Sequence, residues 1–228
     1  LARHALAAGD LEASFHHCLA AGQAALQIHA GQEAINHFEQ ARSLGSQVNL
    51  EDKSLVGRLY LQLGRAYEIG GDYDKALAVY AELQQLAQQQ NDKQLQLAAL
   101  MARTTVYAAP TQHYDEASVS ILTQQALPLA RDLGDYAAEA KIQWNLMLLH
   151  IFTGNMTQAL VHGEASLALA REHGLQEQLA YTLHDLFRPY LFCGHTEQAL
   201  DALHEAQALW RSLDNKPMLA DSLNVLSG

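Results

Sequence analysis

The chain has little of what most specialised proteins depend on. Basic residues are scarce: 14 Lys and Arg stand against 25 Asp and Glu, for a formal net charge of −11 in 228 residues. Sequence-independent grip on nucleic acid comes from displaced counterions and needs a basic surface, so DNA or RNA is excluded as a direct partner. No apolar run reaches the roughly 18 residues of a membrane span, so no membrane partner is expected. Two cysteines and four prolines are too few for a disulfide scaffold or a proline-rich linker. Alternating β-branched residues flanked by hairpin dipeptides are also missing, so strands are not expected. What is there is 49% hydrophobic residue against 17% charged, the balance of a chain able to bury a core.

That core is repetitive. Gly134-Asp135 recurs 40 residues on at Gly174 and again at Asp214, Gly154 recurs as Gly194, Ala159-Leu160 as Ala199-Leu200, and Arg171 as Arg211. Tyr73-Asp74-Lys75-Ala76 recurs 41 residues on as Tyr114-Asp115-Glu116-Ala117, and Ala34 precedes Ala76 by 42. A period of this size signals a repeat architecture of between five and six units.

Within a unit the apolar spacing is helical. Leu55, Leu59, Leu63 and Ala66-Tyr67 hold one face, Gly70-Gly71-Asp72 breaks the chain, and Ala76, Leu77, Tyr80, Leu83 and Leu86 hold the face of a second helix. The pattern predicts helices over 2–8, 11–29, 32–44, 52–69, 73–90, 93–108, 114–133, 136–153, 156–173, 177–193, 196–213 and 216–227, joined by short Gly, Asp and Asn turns. Leu1 is no initiator Met, and the last helical pattern stops without a polar cap, so the expectation is a fragment of a longer chain cut at both ends.

Tyr60, Leu63, Gly64 and Tyr67 stand where the tetratricopeptide repeat has W-x-x-L-G-x-x-Y, and Ala76 with Tyr80 match its A-x-x-x-F. The chain therefore resembles the tetratricopeptide repeat family over nearly all its length, with looser copies at Gly22, Ala34 and Phe38, at Ala117, at Ala159 and at Ala199. The resemblance implies an all-α, right-handed α-solenoid: one superhelix over 1–228, made of about five and a half stacked antiparallel helix hairpins. The long unit, Ala8-Gly9-Asp10, and the endings Leu129-Ala130-Arg131 and Leu169-Ala170-Arg171 look like the repeat region of bacterial signalling ATPases and of LuxR-type or cyclase-linked regulators. That likeness implies a module of a signalling or transcription-regulatory protein.

Chemistry is poorly represented. Gly70-Gly71-Asp72-Tyr73-Asp74-Lys75 lacks the G-x-x-x-x-G-K-[ST] spacing that cradles a phosphate, and neither G-x-S-x-G nor H-E-x-x-H occurs. Among twelve histidines the densest cluster is His16-His17-Cys18, but neighbours on a helix point about 100° apart and cannot easily share an ion. His150 occupies the position of Tyr67 in its own unit and reads as a packed inter-helix residue, while His113 and His195 fall in turns. Cys18 and Cys193 lie about four units apart in an array whose units touch only neighbours, so they stay unpaired, which fits a reducing cytoplasm. The expectation is no catalysis, no metal and no cofactor.

What remains is the inner face, where the first helix of each hairpin lines the concave surface used for extended partners. Counting from the matched frame, it carries Arg58, Gln62, Arg65, Arg103, Lys141, Trp144, Asn145, Tyr181, His184 and Arg188 as candidate ligand-binding residues. Its basic residues outnumber its acidic ones, Glu68 and Asp185, by five to two, the reverse of the whole chain. Such a face suits a protein or peptide of acidic character, or an anionic metabolite, with Arg forks for carboxylates and Trp144 and Tyr181 as flat anchors. The alternative is an intramolecular scaffold that docks other domains of the parent chain or self-associates as a homodimer through its cut ends. Pro189, inside a first helix beside Arg188, removes a hydrogen bond to the Asp185 carbonyl and is expected to kink the helix there.

Overall fold

Gly64 and Tyr80 show how a hairpin closes. A methyl group placed on Gly64 would lie 2.2 Å from the Tyr80 ring, so the aromatic residue of the second helix occupies the space that a side chain on the first would need. Gly22 stands in the same relation to Phe38, whose ring would be 2.5 Å from an added Cβ. The small residue on the second helix is as tightly held: Ala34, Ala76, Ala159 and Ala199 are all fully buried. Close-packed interiors leave no room for a larger group at such crossings.

The computed structural model describes residues 10–28, 30–47, 53–108 and 111–225, and among them are eleven helices and no strand. They are α1 (Leu11–Gln27), α2 (Gly31–Gly45), α3 (Lys53–Ile69), α4 (Tyr73–Gln90), α5 (Lys93–Ala108), α6 (Glu116–Leu133), α7 (Tyr136–Phe152), α8 (Met156–Glu172), α9 (Gln176–Phe192), α10 (Thr196–Ser212) and α11 (Lys216–Val225). Each falls within two residues of its sequence expectation; the helix expected at 2–8 lies outside the described residues. None is long and apolar enough to cross a membrane.

The helices group into two compact units, residues 1–106 and 107–228. In the first, α1 packs on α2, α2 on α3 and α3 on α4, with α1 also touching α3, around Phe15, Phe38, Leu59, Leu63 and Tyr80. In the second, each helix from α6 to α11 packs on the next, and α7 also touches α9. Its core gathers Met147, Leu183, Leu186 and Trp210.

Turn chemistry fixes the hairpins. Asp72, Asp135 and Asn155 cap the helices that follow them, each accepting from the backbone N–H three residues on. Gly154 and Gly194 end α7 and α9 at φ +78° and +82°, a conformation that side chains resist. Asp214 takes the equivalent position after α10 at φ +50° and carries that strain. The α9 helix runs through the buried Pro189 to Phe192.

Candidate binding site

The candidate residues divide between the two units. In the first, Arg58 and Arg65 are exposed on α3, and Arg65 is held by Glu68 at 2.8 Å. Gln62 accepts from Gln23 Nε2 at 3.1 Å. Arg103 on α5 donates from Nη1 to Gln84, while its buried Nε has no partner among the described residues. A cleft of about 510 Å³ in this unit, bordered by Arg42, Tyr60 and Glu82, includes none of the four.

The second unit brings its candidates onto one face. Helical spacing of three and four residues puts Lys141, Trp144, Asn145 and Leu148 along α7 and Tyr181, His184, Asp185 and Arg188 along α9. The two rows join through Trp144, whose Nε1 donates to Asp185 Oδ2 at 2.8 Å. The Trp144 and Tyr181 rings lie 5.8 Å apart, and Tyr181 meets the Trp210 ring edge-on at 4.8 Å. Both Trp144 and Tyr181 are partly buried against the unit's core, so each presents only part of its ring to solvent.

Beside this seam is a cleft of about 330 Å³ lined by Leu148, Ile151 and Phe152 of α7, His184, Asp185, Phe187 and Arg188 of α9, and Val225 of α11. Its walls are apolar and its polar groups few, the character of a ligand pocket. Asp185 forms no ion pair among the described residues, and its single hydrogen bond there is the one from Trp144. Burial pushes its carboxyl above the usual carboxylate range, with Asp221 adding to the rise, while the Trp144 bond and the neighbouring His184 pull the other way. His184 is nine-tenths buried, with Nε2 lying 3.3 Å from Asp221 Oδ2 of α11 and its buried Nδ1 unpartnered among the described residues. Asn145, 3% exposed, likewise leaves Nδ2 without a partner. A buried polar atom left unmet costs about 1–3 kcal/mol, so each of these two atoms is a place where a donor or acceptor would be stabilising. Lys141 and Arg188 are exposed and form no ion pair among the described residues.

Two histidines of α7 and α8 pack on each other. His150 stacks on His162 at 5.3 Å, and His162 Nδ1 lies 2.8 Å from Gln143 Oε1. Burial and the adjacent His150 lower the pKa of His162. Cys18 is buried and its thiol is pushed up by desolvation, the setting of an unreactive cysteine. No group of three or more His, Cys, Asp or Glu among the described residues is placed to hold a metal ion.

Sequence reasoning placed Asp185 on the inner face but not in a cavity, and it gave no role to Phe187, Asp221 or Val225. An acid set between Leu183 and Leu186-Phe187, one repeat after Trp144, was the available signal.

No family model matches the sequence, and no curated protein matches it. Solved structures do. A Signal Transduction ATPase with Numerous Domains protein with a tetratricopeptide repeat sensor, from Pyrococcus horikoshii, matches with a TM-score of 0.73 and 15% identity, over 93% of this chain and 32% of that one. BtubC from P. vanneervenii matches at 0.75 and 17%, over 93% of this chain and 86% of that one. The Rap conjugation gene regulator of plasmid pLS20, in complex with a Phr peptide, matches at 0.73 and 18%, over 95% and 58%. The chain thus spans a third of the first and just over half of the third. These likenesses establish the fold as an all-α array of tetratricopeptide-like helix hairpins.

Proposed function

We propose that the chain is a non-catalytic repeat module that binds a protein or peptide segment through the first helices of its hairpins, as the sensing or docking part of a larger cytoplasmic signalling or transcription-regulatory protein. The observation that carries this reading is the cleft between α7, α9 and α11, where apolar walls surround a partly buried carboxylate and a histidine nitrogen unpartnered among the described residues. Exposed Lys141 and Arg188 on the same helices are free to meet acidic residues of the partner, as the basic inner face anticipates. A Rap regulator of the same fold, solved with a Phr peptide, supports a peptide as ligand class. The ATPase with a repeat sensor supports the regulatory setting.

The test is an array of randomised short peptides probed with the labelled chain, followed by titration of the best binders. Arg188→Ala weakens binding, whereas Arg171→Ala, on α8 and paired with Glu205, leaves it unchanged. Equal loss in both variants, or none in Arg188→Ala, moves the binding surface elsewhere.

A further inference from the structure

Resting on that reading, the groups lining the cleft specify which part of the partner enters it. Asp185 spends Oδ2 on the Trp144 indole and leaves Oδ1 without a hydrogen bond from any described residue. His184 faces Asp221 with Nε2, and in the tautomer that donates there, Nδ1 offers a buried lone pair that nothing in the described fold meets. In that tautomer two acceptors border one apolar cleft, and neither has a donor among the described residues. Arg188, the cation of the cleft, is exposed and forms no ion pair with Asp185 among the described residues, so the Trp144 bond and the neighbouring His184 are what oppose the cost of the carboxylate's desolvation. A buried carboxylate is favourable only when paired and hydrogen-bonded, and a ligand bearing positive charge supplies both.

We propose that the cleft between α7, α9 and α11 is a receptor for one cationic side chain of the partner peptide, the ammonium of a Lys or the guanidinium of an Arg. Its N–H groups donate to Asp185 Oδ1 and His184 Nδ1, and its aliphatic stem lies along Leu148, Ile151 and Phe187. A carboxylate in the same place would face Asp185 across a low-dielectric gap, so acidic residues of the partner are confined to the rim with Arg188 and Lys141. The chain's net charge of −11 draws a cationic segment from a distance, while the cleft decides where it seats.

The peptide array separates this from the broader reading. Its retained sequences are enriched in Lys or Arg, and N-acetyl-lysine methylamide or N-acetyl-arginine methylamide competes with them where the norleucine and glutamate analogues do not. Asp185→Asn turns an amide N–H2 toward the incoming donor and weakens binding by roughly tenfold or more. Asp201→Asn, exposed on α10, removes the same charge and leaves binding intact. His184→Phe keeps a ring but removes the second acceptor, and it decides the matter should Asp185→Asn fail to fold. Peptides retained without basic enrichment, or equal losses in Asp185→Asn and Asp201→Asn, overturn the cationic receptor and leave peptide binding standing. No retained peptide at all overturns both.

Discussion

Trp144 and Asp185, one repeat apart in sequence, are joined by an indole N–H donated to a partly buried carboxylate at 2.8 Å. The bond ties α7 to α9, and it is the one hydrogen bond from a described residue that offsets the carboxylate's removal from water. A carboxyl raised by burial favours the folded state most when protonated. The stability it lends is fully present below the ordinary carboxylate range and is lost as pH rises through the raised value.

Asp185→Asn, which cannot ionise, therefore melts at a higher temperature than the wild type at neutral pH. The advantage shrinks as the solution is acidified towards the ordinary carboxylate range. Melting curves followed by circular dichroism across acid pH check this; a variant less stable than wild type at neutral pH would mean that the charge is compensated in the fold.

Gly64→Ala sets two effects against each other. Alanine improves helix propensity by about 1 kcal/mol, but its methyl group would sit 2.2 Å from the Tyr80 ring, which is itself 2% exposed and held by a bond to Glu68. Overpacking wins, and denaturant unfolding shows a net loss on the order of 1–3 kcal/mol.

Asp214→Gly acts in the opposite direction. The left-handed conformation at φ +50° costs a side chain about 1 kcal/mol or more, and the exposed pair with Lys216 at 3.8 Å contributes little. Relief outweighs the added chain entropy, so calorimetry finds the variant more stable by roughly 0.5–1 kcal/mol.

Tyr67, on α3, donates to Glu39 of α2 at 2.8 Å, and burial with that bond pushes its phenol up to about 12. The folded chain keeps this proton while an unfolded tyrosine loses it near its ordinary value, so stability falls as pH rises through that interval. Tyr67→Phe flattens this alkaline limb, and ultraviolet titration of the wild type shows a tyrosine ionising late.

Helix boundaries and hairpin crossings were legible because they depend on local residues. Gly64, Ala76, Ala159 and Ala199 announce close approach by their size, and the Gly and Asp turns announce where each helix stops. Helical spacing accounts for the side shared by Trp144, Tyr181, His184 and Arg188 once the frame is set, but it does not foretell that Asn145, in the same row, is 3% exposed. The cleft was not. Its wall is completed by Val225 of α11, and the Asp185 on its border is held by Trp144 of α7, neither of which is encoded in the spacing of one helix. The His150–His162 stack escaped for the same reason, because the second ring comes from α8.

A partner peptide seated in the α7–α9–α11 cleft must disturb the Trp144–Asp185 seam beside it. The most direct measurement follows the two indole N–H resonances of isotope-labelled protein during titration with an array-selected peptide. Trp144 borders the cleft through its bond to Asp185, and Trp210 is fully buried with Nε1 unpartnered among the described residues. Occupation of the cleft moves the Trp144 resonance along the same isotherm as peptide binding, with a larger displacement than that of Trp210. A peptide that binds to saturation while the Trp144 indole stays unmoved would contradict it.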